Sequence, residues 1–207
     1  MPIFPVFPRA LARRLFVDSP LQPETARSDA VQDGVRRHFY NERSFQTFAT
    51  FFRLWGGWVT AGHCLTETNG LLPPFAEGKA ESWPDGLDAA LIGCRLPDAP
   101  PPAPREGQRV VAMGYPAGSG HLETRNGAVY ISRLPGQWIV KMDDPDEPVV
   151  TGMSGGPVID AATGGPLGIL ITRNSPADLD SDGDADESYD FTALADVWAA
   201  LRPRPTV

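Results

Sequence analysis

The chain has 207 residues, of which 42% are hydrophobic and 21% are charged. This composition is typical of a globular protein, excludes a disordered or fibrous chain, and offers no uninterrupted run of ~18 apolar residues for a membrane helix. The 26 Asp+Glu outnumber the 18 Lys+Arg and give a formal net charge of -8, which disfavours nucleic acid as a partner. We therefore expect a protein that associates with neither nucleic acid nor a membrane.

Residues 1–43 are predicted to form an N-terminal extension. Prolines are frequent in its first 20 residues, so this part is expected to run extended over a surface. Apolar residues then recur every four positions from Val31 to Phe39. This spacing predicts a short amphipathic helix within residues 23–39.

The compartment is inferred from the N-terminus and the cysteines. Arg9, Arg13 and Arg14 stand where an export signal would have a continuous apolar segment. Cys64 and Cys94 lack the CxxC spacing of a zinc or redox site and are interpreted as buried thiols. A cytoplasmic location is therefore the expectation.

Short apolar or alternating segments separated by Gly, Pro and Asn make up most of residues 44–192. This pattern predicts short β-strands rather than alternating βαβ units, and hence an all-β barrel or sandwich. The predicted strands have the sequences FQTFATFFRL, WVTAGHCL, LDAALIGCRL, RVVAMGYP, GAVYISRL, QWIVKM, GPVID and PLGILITR.

A proline-rich segment and a C-terminal helix complete the predicted organisation. Residues 97–105, PDAPPPAPR, cannot continue a central strand because proline has no N–H to donate. They are predicted to link a β unit of residues 44–96 to one of residues 106–192. In residues 193–207 apolar side chains recur at helical spacing until Pro203 ends the pattern. The helix is predicted from Leu194, Val197, Trp198 and Leu201.

Three histidines limit the choice of an imidazole base to His38, His63 or His121. His63 ends an apolar segment, and Gly62 leaves space beside its ring. His38 lies in the charged segment RRHF, and His121 follows a glycine-rich loop with no obvious partner. His63 is therefore the favoured base, with a hydrogen-bonded core histidine as the alternative.

Residues 151–160, TGMSGGPVID, place Ser154 on a glycine-rich turn. Backbone N–H groups can converge on one point at such a turn, as acyl transfer requires for its developing oxyanion. The candidate donors are the N–H groups of Gly152 and Ser154. The alternative is a glycine-rich hairpin in which the serine has no chemical role.

A serine nucleophile needs a base, and an imidazole base needs a carboxylate that fixes its tautomer. Asp88 directly precedes the apolar segment AALIG, so its carboxylate is expected at the edge of a core. Asp85, in the segment WPDG, is typical of a turn and is the weaker choice.

The segments TAGHC, DAALIG and GMSGGP occur in this order and resemble the three signature motifs of the trypsin-like serine proteases, especially the compact bacterial members. The resemblance covers residues 44–201. It implies two six-stranded antiparallel β-barrels with the site between them, and a closing C-terminal helix. It also implies that His63 is the general base, Asp88 orients it and Ser154 is the nucleophile, with no cofactor required.

The resemblance also implies a pocket for the substrate side chain before the scissile bond. Its walls are the stretch before Ser154, including Pro148, and the strand GILITR with the loop after it, including Ile171 and Thr172. Asp190 is expected to reach this pocket. Pro148 stands where members that cut after Lys or Arg have an acid, but the acidic residues nearby favour basic substrates. A preference for apolar residues is the alternative.

Met153 occupies the position of an aspartate that, in members activated by cleavage, pairs with the new N-terminus. No such ion pair can form with methionine. Activity is therefore expected to be intrinsic or to be switched on by a protein partner.

Residues 178–189, DLDSDGDADESY, match the opening of a calcium-binding loop. Tyr189 stands where a helix–loop–helix calcium site has a bidentate glutamate, so a full site of that kind is not expected. Both a calcium loop and a solvated acidic loop fit the pattern. The candidate ligands are Asp178, Asp180, Asp182, Asp184 and Asp186.

The sequence as a whole predicts a serine endopeptidase whose partners are protein or peptide substrates. The first alternative is a catalytically silent or partner-activated binding module with the same fold. The second is an esterase that uses the same three residues.

Overall fold

The computed structural model describes residues 34–39, 47–67, 72–73, 75–76, 80–82, 87–117, 121–131, 138–144, 146–171 and 188–202. In this part the chain forms eleven strands and two helices. The strands are β1 (Val35–Phe39), β2 (Thr47–Leu54), β3 (Gly57–Thr60), β4 (Ala80–Ser82), β5 (Ala90–Ile92), β6 (Arg109–Gly114), β7 (Glu123–Ile131), β8 (Trp138–Met142), β9 (Pro157–Asp160), β10 (Pro166–Ile171) and β11 (Ser188–Ala193). The helices are α1 (Gly62–Glu67) and α2 (Leu194–Leu201).

The C-terminal strands form a closed antiparallel barrel with the order β10-β11-β8-β7-β6-β9. This confirms the predicted all-β class and the C-terminal six-stranded barrel. Closure pairs every strand on both sides, so the barrel has no unpaired strand edge.

The N-terminal strands form a five-stranded antiparallel sheet with the order β1-β2-β3-β5-β4. The prediction of a second six-stranded barrel is therefore met only in part. Strands β1 and β4 are the edges of this sheet, and within the described residues no pairing between them closes it.

The first strand corrects the prediction of a helix within residues 23–39. Val35–Phe39 is β1, paired antiparallel with β2 so that Val35 lies opposite Phe52. A spacing of four residues also fits a strand, since four is twice the period of two by which side chains alternate along a strand. Pairing with β2 gives hydrogen-bond partners to the backbone N–H and C=O groups of this segment. The start of the predicted helix, residues 23–33, lies outside the described part.

The C-terminal helix α2 is confirmed, with Leu194 and Val197 buried. Their cluster also includes Phe51 and Val59 of the sheet. Fully burying such a side chain contributes about 1.5–3 kcal/mol. The indole N–H of Trp198 donates to the Pro97 carbonyl at 2.9 Å, so α2 also contacts the proline-rich segment.

Two hydrophobic clusters meet where the sheet faces the barrel. The barrel encloses one of them, which includes Val129, Val140 and Phe191. Tyr115 directly follows the barrel strand β6, and Ile169 lies on the barrel strand β10. Both side chains nevertheless belong to the hydrophobic cluster of the sheet. The sheet and the barrel therefore share a packed junction. In the described part of the chain neither helix is long and apolar enough to cross a membrane.

Candidate active site

His63 and Asp88 are brought together by the sheet. His63 lies in the first turn of α1, directly after β3, and Asp88 lies two residues before β5, the strand that pairs with β3. The backbone N–H of His63 donates to Asp88 Oδ1 at 2.7 Å, and His63 Nδ1 lies 2.6 Å from Asp88 Oδ2. A Cβ on Gly62 would lie 3.0 Å from Asp88 Oδ1, so glycine gives the carboxylate its space.

The contact with Asp88 determines the electrostatics of the imidazole. Burial alone would lower the pKa of His63, but the hydrogen bonds to Asp88 and to Cys64, together with the negative charge of Asp88, raise it overall. A proton on Nδ1 that is donated to the carboxylate leaves Nε2 as the acceptor. The ring therefore has the tautomer that a general base requires.

Ser154 lies on the turn before β9 and is only 4% exposed. Positive φ angles at Gly152 (97°) and Gly155 (85°) shape this turn. Hydrogen bonds close it, from Met153 N–H to the Val150 carbonyl at 3.1 Å and from Gly156 N–H to the Met153 carbonyl at 3.0 Å. The predicted tight glycine turn is thus present in the structure.

The sheet holds this turn directly. The Thr50 N–H donates to the Ser154 carbonyl at 2.8 Å, and the Thr60 hydroxyl donates to the Thr50 carbonyl at 2.8 Å. The Cys64 sulfur lies 3.6 Å from His63 Nε2 and 3.9 Å from the Ser154 carbonyl oxygen. His63 and Asp88 therefore lie on the sheet side and Ser154 on the barrel side of one junction, with Cys64 between His63 and the Ser154 carbonyl.

Gly155 is one of the glycines of the turn that cannot be replaced without strain. An alanine Cβ there would lie 2.1 Å from Thr60 Oγ1 and 2.3 Å from the Thr50 carbonyl oxygen, at a positive φ. We expect Gly155→Ala to lower the free energy of unfolding by about 3 kcal/mol or more, from overpacking and backbone strain together. Urea unfolding measures this loss.

Gly107 supplies the matched control for that substitution. Its φ is 75°, but nothing lies within 4 Å of its Cβ position. Gly107→Ala should therefore cost only the backbone strain, about 1 kcal/mol. Equal losses in the two variants would contradict the proposed clash at the Thr50–Thr60 contact.

The other predicted site residues are placed as follows. Ile171 ends β10 and pairs with Asp190 of β11, so these two are neighbours. Pro148 lies in the segment before Ser154, where its carbonyl accepts a hydrogen bond from Arg125 Nε at 3.3 Å. Thr172 lies outside the described residues.

Several alternative or associated residues are also placed. His38 lies on β1 opposite Ala49, and His121 is exposed before β7. The contact of His63 with Asp88 supports the choice of His63 as the candidate base. Asp85 lies outside the described residues. Cys64 is buried as predicted, whereas Cys94 is only half-buried, and both are free thiols.

The predicted calcium ligands, Asp178, Asp180, Asp182, Asp184 and Asp186, all lie outside the described residues. Across the described ranges there is no group of three His, Cys, Asp or Glu side chains that could hold a metal ion.

Sequence reasoning did not identify Thr50, Thr60 or Arg125. Thr50 and Thr60 are fully buried polar residues on strands β2 and β3. The side chain of Arg125 is only 13% exposed and forms an ion pair with Glu123. A hydroxyl within an apolar strand is the available signal for the two threonines, but the Gly152 carbonyl that Thr50 contacts is 102 positions away. Arg125 lies in the polar first half of β7, where an arginine gives no such signal.

The chain belongs to the trypsin-like peptidase domain family, whose match covers residues 50–169, more than half of the 207 residues. The matched range contains His63, Asp88 and Ser154. A search of the curated proteins gives no match.

Solved structures with the same fold come from bacteria, viruses and animals. The active form of the Rv3671c protease from M. tuberculosis is 22% identical, with a TM-score of 0.56, and the match covers 100% of this chain and 93% of that one. The serine protease domain of the Sesbania mosaic virus polyprotein is 13% identical, with a TM-score of 0.58 and coverage of 92% and 100%. Human heparin binding protein is 14% identical, with a TM-score of 0.51 and coverage of 77% and 90%. At these identities the likeness establishes the fold.

Proposed function

We propose that this protein is a serine endopeptidase that forms an acyl-enzyme at Ser154. The observation that carries the proposal is the two-point hydrogen bond of Asp88 to the ring and the backbone of His63, at 2.6 and 2.7 Å. This arrangement fixes both the position and the tautomer of the imidazole, as a base for a serine requires. The turn of Ser154 is held at the same junction by the hydrogen bond from the Thr50 N–H to the Ser154 carbonyl.

The proposed reaction has two halves. Ser154 Oγ attacks the peptide carbonyl while His63 Nε2 takes its proton, and the developing oxyanion accepts hydrogen bonds from the N–H groups of Gly152 and Ser154. His63 then gives this proton to the leaving amine, which departs and leaves an ester at Ser154. A water then loses a proton to His63 and attacks the ester carbonyl. The bond to Ser154 Oγ breaks, His63 returns the proton to this oxygen, and the carboxylic acid product is released. Asp88 stabilises the imidazolium in both halves.

Hydrolysis of an unfolded protein tests the proposal. The purified chain is expected to degrade casein, to form new peptide N-termini and to lose this activity in step with modification by a fluorophosphonate. Hydrolysis of esters without cleavage of casein or peptide amides would favour an esterase instead. Labelling by the fluorophosphonate without hydrolysis of esters or of peptide bonds would indicate that the serine is reactive but that the protein does not bind these substrates productively.

A binding module is the second candidate because a protein named for heparin binding shares this fold. Such a module would bind its partner without turnover. The half-buried Asp88–His63 contact favours the endopeptidase, since a binding module has no need for an imidazole of fixed tautomer. Absence of both hydrolysis and labelling in the correctly folded chain would favour the binding module.

We further propose that cleavage follows basic residues, with Asp190 as the acidic group of the pocket. Asp190 is half-buried beside Ile171, and partial burial strengthens its attraction for a cation. The acidic stretch before Ser154 consists of Asp143, Asp144, Asp146 and Glu147. Its negative potential is weaker than four carboxylates would give, because Arg109 pairs with Asp143 and lowers the pKa of that carboxyl.

Asp190→Asn is expected to lower kcat/KM for peptides with Arg or Lys before the scissile bond by about 10-fold or more, with little change for apolar residues. Profiling a peptide library with both enzymes measures this change. Asp98→Asn makes the same charge change at an exposed position of the proline-rich segment and should leave the profile as it is. A wild-type preference for apolar residues that is indifferent to salt would contradict the proposal.

We also propose that activity does not depend on cleavage of the N-terminus. Met153 is fully buried, with 0% solvent exposure, and packs in the hydrophobic cluster of the barrel. Apolar packing therefore anchors the turn where other members use an ion pair. Removing the first residues with a site-specific protease should change kcat by less than about 2-fold. An increase of many-fold after this cut would contradict the proposal. Stimulation by an added protein without any cut would instead indicate the activating partner.

A further inference from the structure

Thr50 makes an unusual number of contacts for a side chain on a β-strand. It lies on β2 with 0% exposure, and its hydroxyl donates to the Gly152 carbonyl at 2.8 Å and accepts from the Tyr115 N–H at 2.9 Å. Its backbone N–H donates to the Ser154 carbonyl at 2.8 Å. One residue of the sheet therefore bonds to two carbonyls of the Ser154 turn and to the barrel segment that follows β6.

These hydrogen bonds act on peptide groups that adjoin the proposed oxyanion donors, the N–H groups of Gly152 and Ser154. A peptide group is planar and trans, so a fixed carbonyl also fixes the direction of the N–H on the opposite side. The Ala117 N–H donates to the Thr151 carbonyl at 2.7 Å, which fixes the N–H of Gly152. The Thr50 hydroxyl fixes the next peptide group, between Gly152 and Met153.

Gly152 needs this support because of its own backbone. Its φ is 97°, and a Cβ there would lie 2.5 Å from the Tyr115 carbonyl oxygen. Glycine has more freedom than other residues to rotate its flanking peptide groups. The hydrogen bond from Ala117 therefore sets the direction of the Gly152 N–H. The hydrogen bond from Thr50 fixes the peptide group that lies between this donor and the Ser154 N–H, and so limits the movement of both.

We infer that Thr50 is a positioning residue for the oxyanion donors, acting through the Gly152 carbonyl. The inference rests on the proposed endopeptidase function. The Thr50 hydroxyl need not touch the substrate, since its effect passes through the turn. A donor held in the right direction before the reaction stabilises the transition state more than the bound substrate. Loss of the hydroxyl should therefore lower kcat and leave KM nearly unchanged.

Thr50→Val is the informative substitution because valine has nearly the shape of threonine without the hydroxyl. It leaves the Gly152 carbonyl and the Tyr115 N–H without this partner. Removing one whole oxyanion donor costs about 10²–10³ in kcat. Loosening a donor should cost less, so we expect a fall of about 10–100-fold, with KM within about 3-fold of the wild type. Thr50→Ser keeps the hydroxyl and should retain kcat within about 3-fold.

The experiment measures kcat, KM and the affinity of a peptide boronate, which forms a tetrahedral adduct with a catalytic serine. All assays are run below the unfolding midpoint of each variant, so that loss of folded protein does not contribute. The expected result is that Thr50→Val weakens boronate binding by about the factor by which kcat falls. Thr50→Ser should restore both quantities.

Three outcomes would contradict the inference. Unchanged kcat and boronate affinity in folded Thr50→Val would exclude the positioning role, as would an equal loss in Thr50→Ser. If Thr50→Val does not fold, Thr50→Cys takes its place, because a thiol is a weaker donor than a hydroxyl, and an unchanged kcat there would contradict the role as well. A wild-type chain that neither hydrolyses peptides nor binds the boronate would instead contradict the endopeptidase function, on which the inference depends.

Discussion

Ser154→Ala is expected to lower the rate of peptide hydrolysis by about 10⁴-fold or more, because it removes the oxygen that forms the proposed acyl-enzyme. The substitution deletes one small polar atom from a turn that backbone hydrogen bonds hold, so the fold should be retained. His63→Ala should cause a loss of similar size, since the serine then lacks its base. Steady-state kinetics with a fluorogenic peptide measures both losses.

The two variants together distinguish a shared mechanism from separate effects. Residues that act as one unit are not additive, so the double variant should be about as slow as either single variant. Losses that multiply in the double variant would mean that His63 and Ser154 act independently. Circular dichroism and the unfolding midpoint verify that each variant is folded.

Asp88→Asn is expected to lower kcat by about 10⁴-fold while leaving the geometry of the site in place. An amide can donate to His63 Nδ1 and thereby favours the tautomer that carries its proton on Nε2, where it can no longer accept the proton of the serine. The backbone N–H of His63 keeps an oxygen partner at the 2.7 Å contact. Kinetics and a structure of the variant would separate a chemical loss from a collapse of the site.

The pH profile gives a second readout for the same substitution. Hydrolysis requires neutral His63, so kcat/KM should rise with pH through the pKa of His63. Asp88 raises that pKa, so the rise should move to lower pH in Asp88→Asn even though the plateau is far lower. A rise that stays at the same pH would show that Asp88 does not control the protonation of this imidazole.

The elements that could be predicted from the sequence are those whose signal is local. The strands β2, β6, β8, β9 and β10 follow apolar segments between turn residues, and α2 follows apolar side chains at helical spacing. The turn of Ser154 is evident from the glycines that surround it, and two of these, Gly152 and Gly155, have positive φ angles. In each case the residues that determine the structure lie within a few positions of one another.

The errors arose where a local pattern fits two structures. A spacing of four residues between Val35 and Phe39 fits both a helix and a strand, and pairing with β2 decides for the strand. The segment WVTAGHCL was predicted as one strand, but it divides into β3 and the start of α1. The strand β4 has only three residues, Ala80–Ser82, too few for an alternating pattern to be recognised.

Thr50 shows why part of the site could not be predicted. Its hydroxyl contacts Gly152, which is 102 positions away, and the Tyr115 N–H, which is 65 positions away. No local pattern encodes such contacts, because they exist only once the sheet and the barrel have packed together. Arg125 is a similar case, since its contact with the Pro148 carbonyl depends on how the segment before Ser154 crosses the barrel.

The central claim is that Ser154 is a nucleophile activated by His63, and the site of fluorophosphonate attachment tests it most directly. The protein is treated with the reagent, digested and analysed by mass spectrometry, beside Ser154→Ala and His63→Ala. We predict one adduct per wild-type chain, located at Ser154, with none in Ser154→Ala and a labelling rate lower by at least about 10³-fold in His63→Ala. An adduct at another residue, or undiminished labelling in either variant, would contradict the claim.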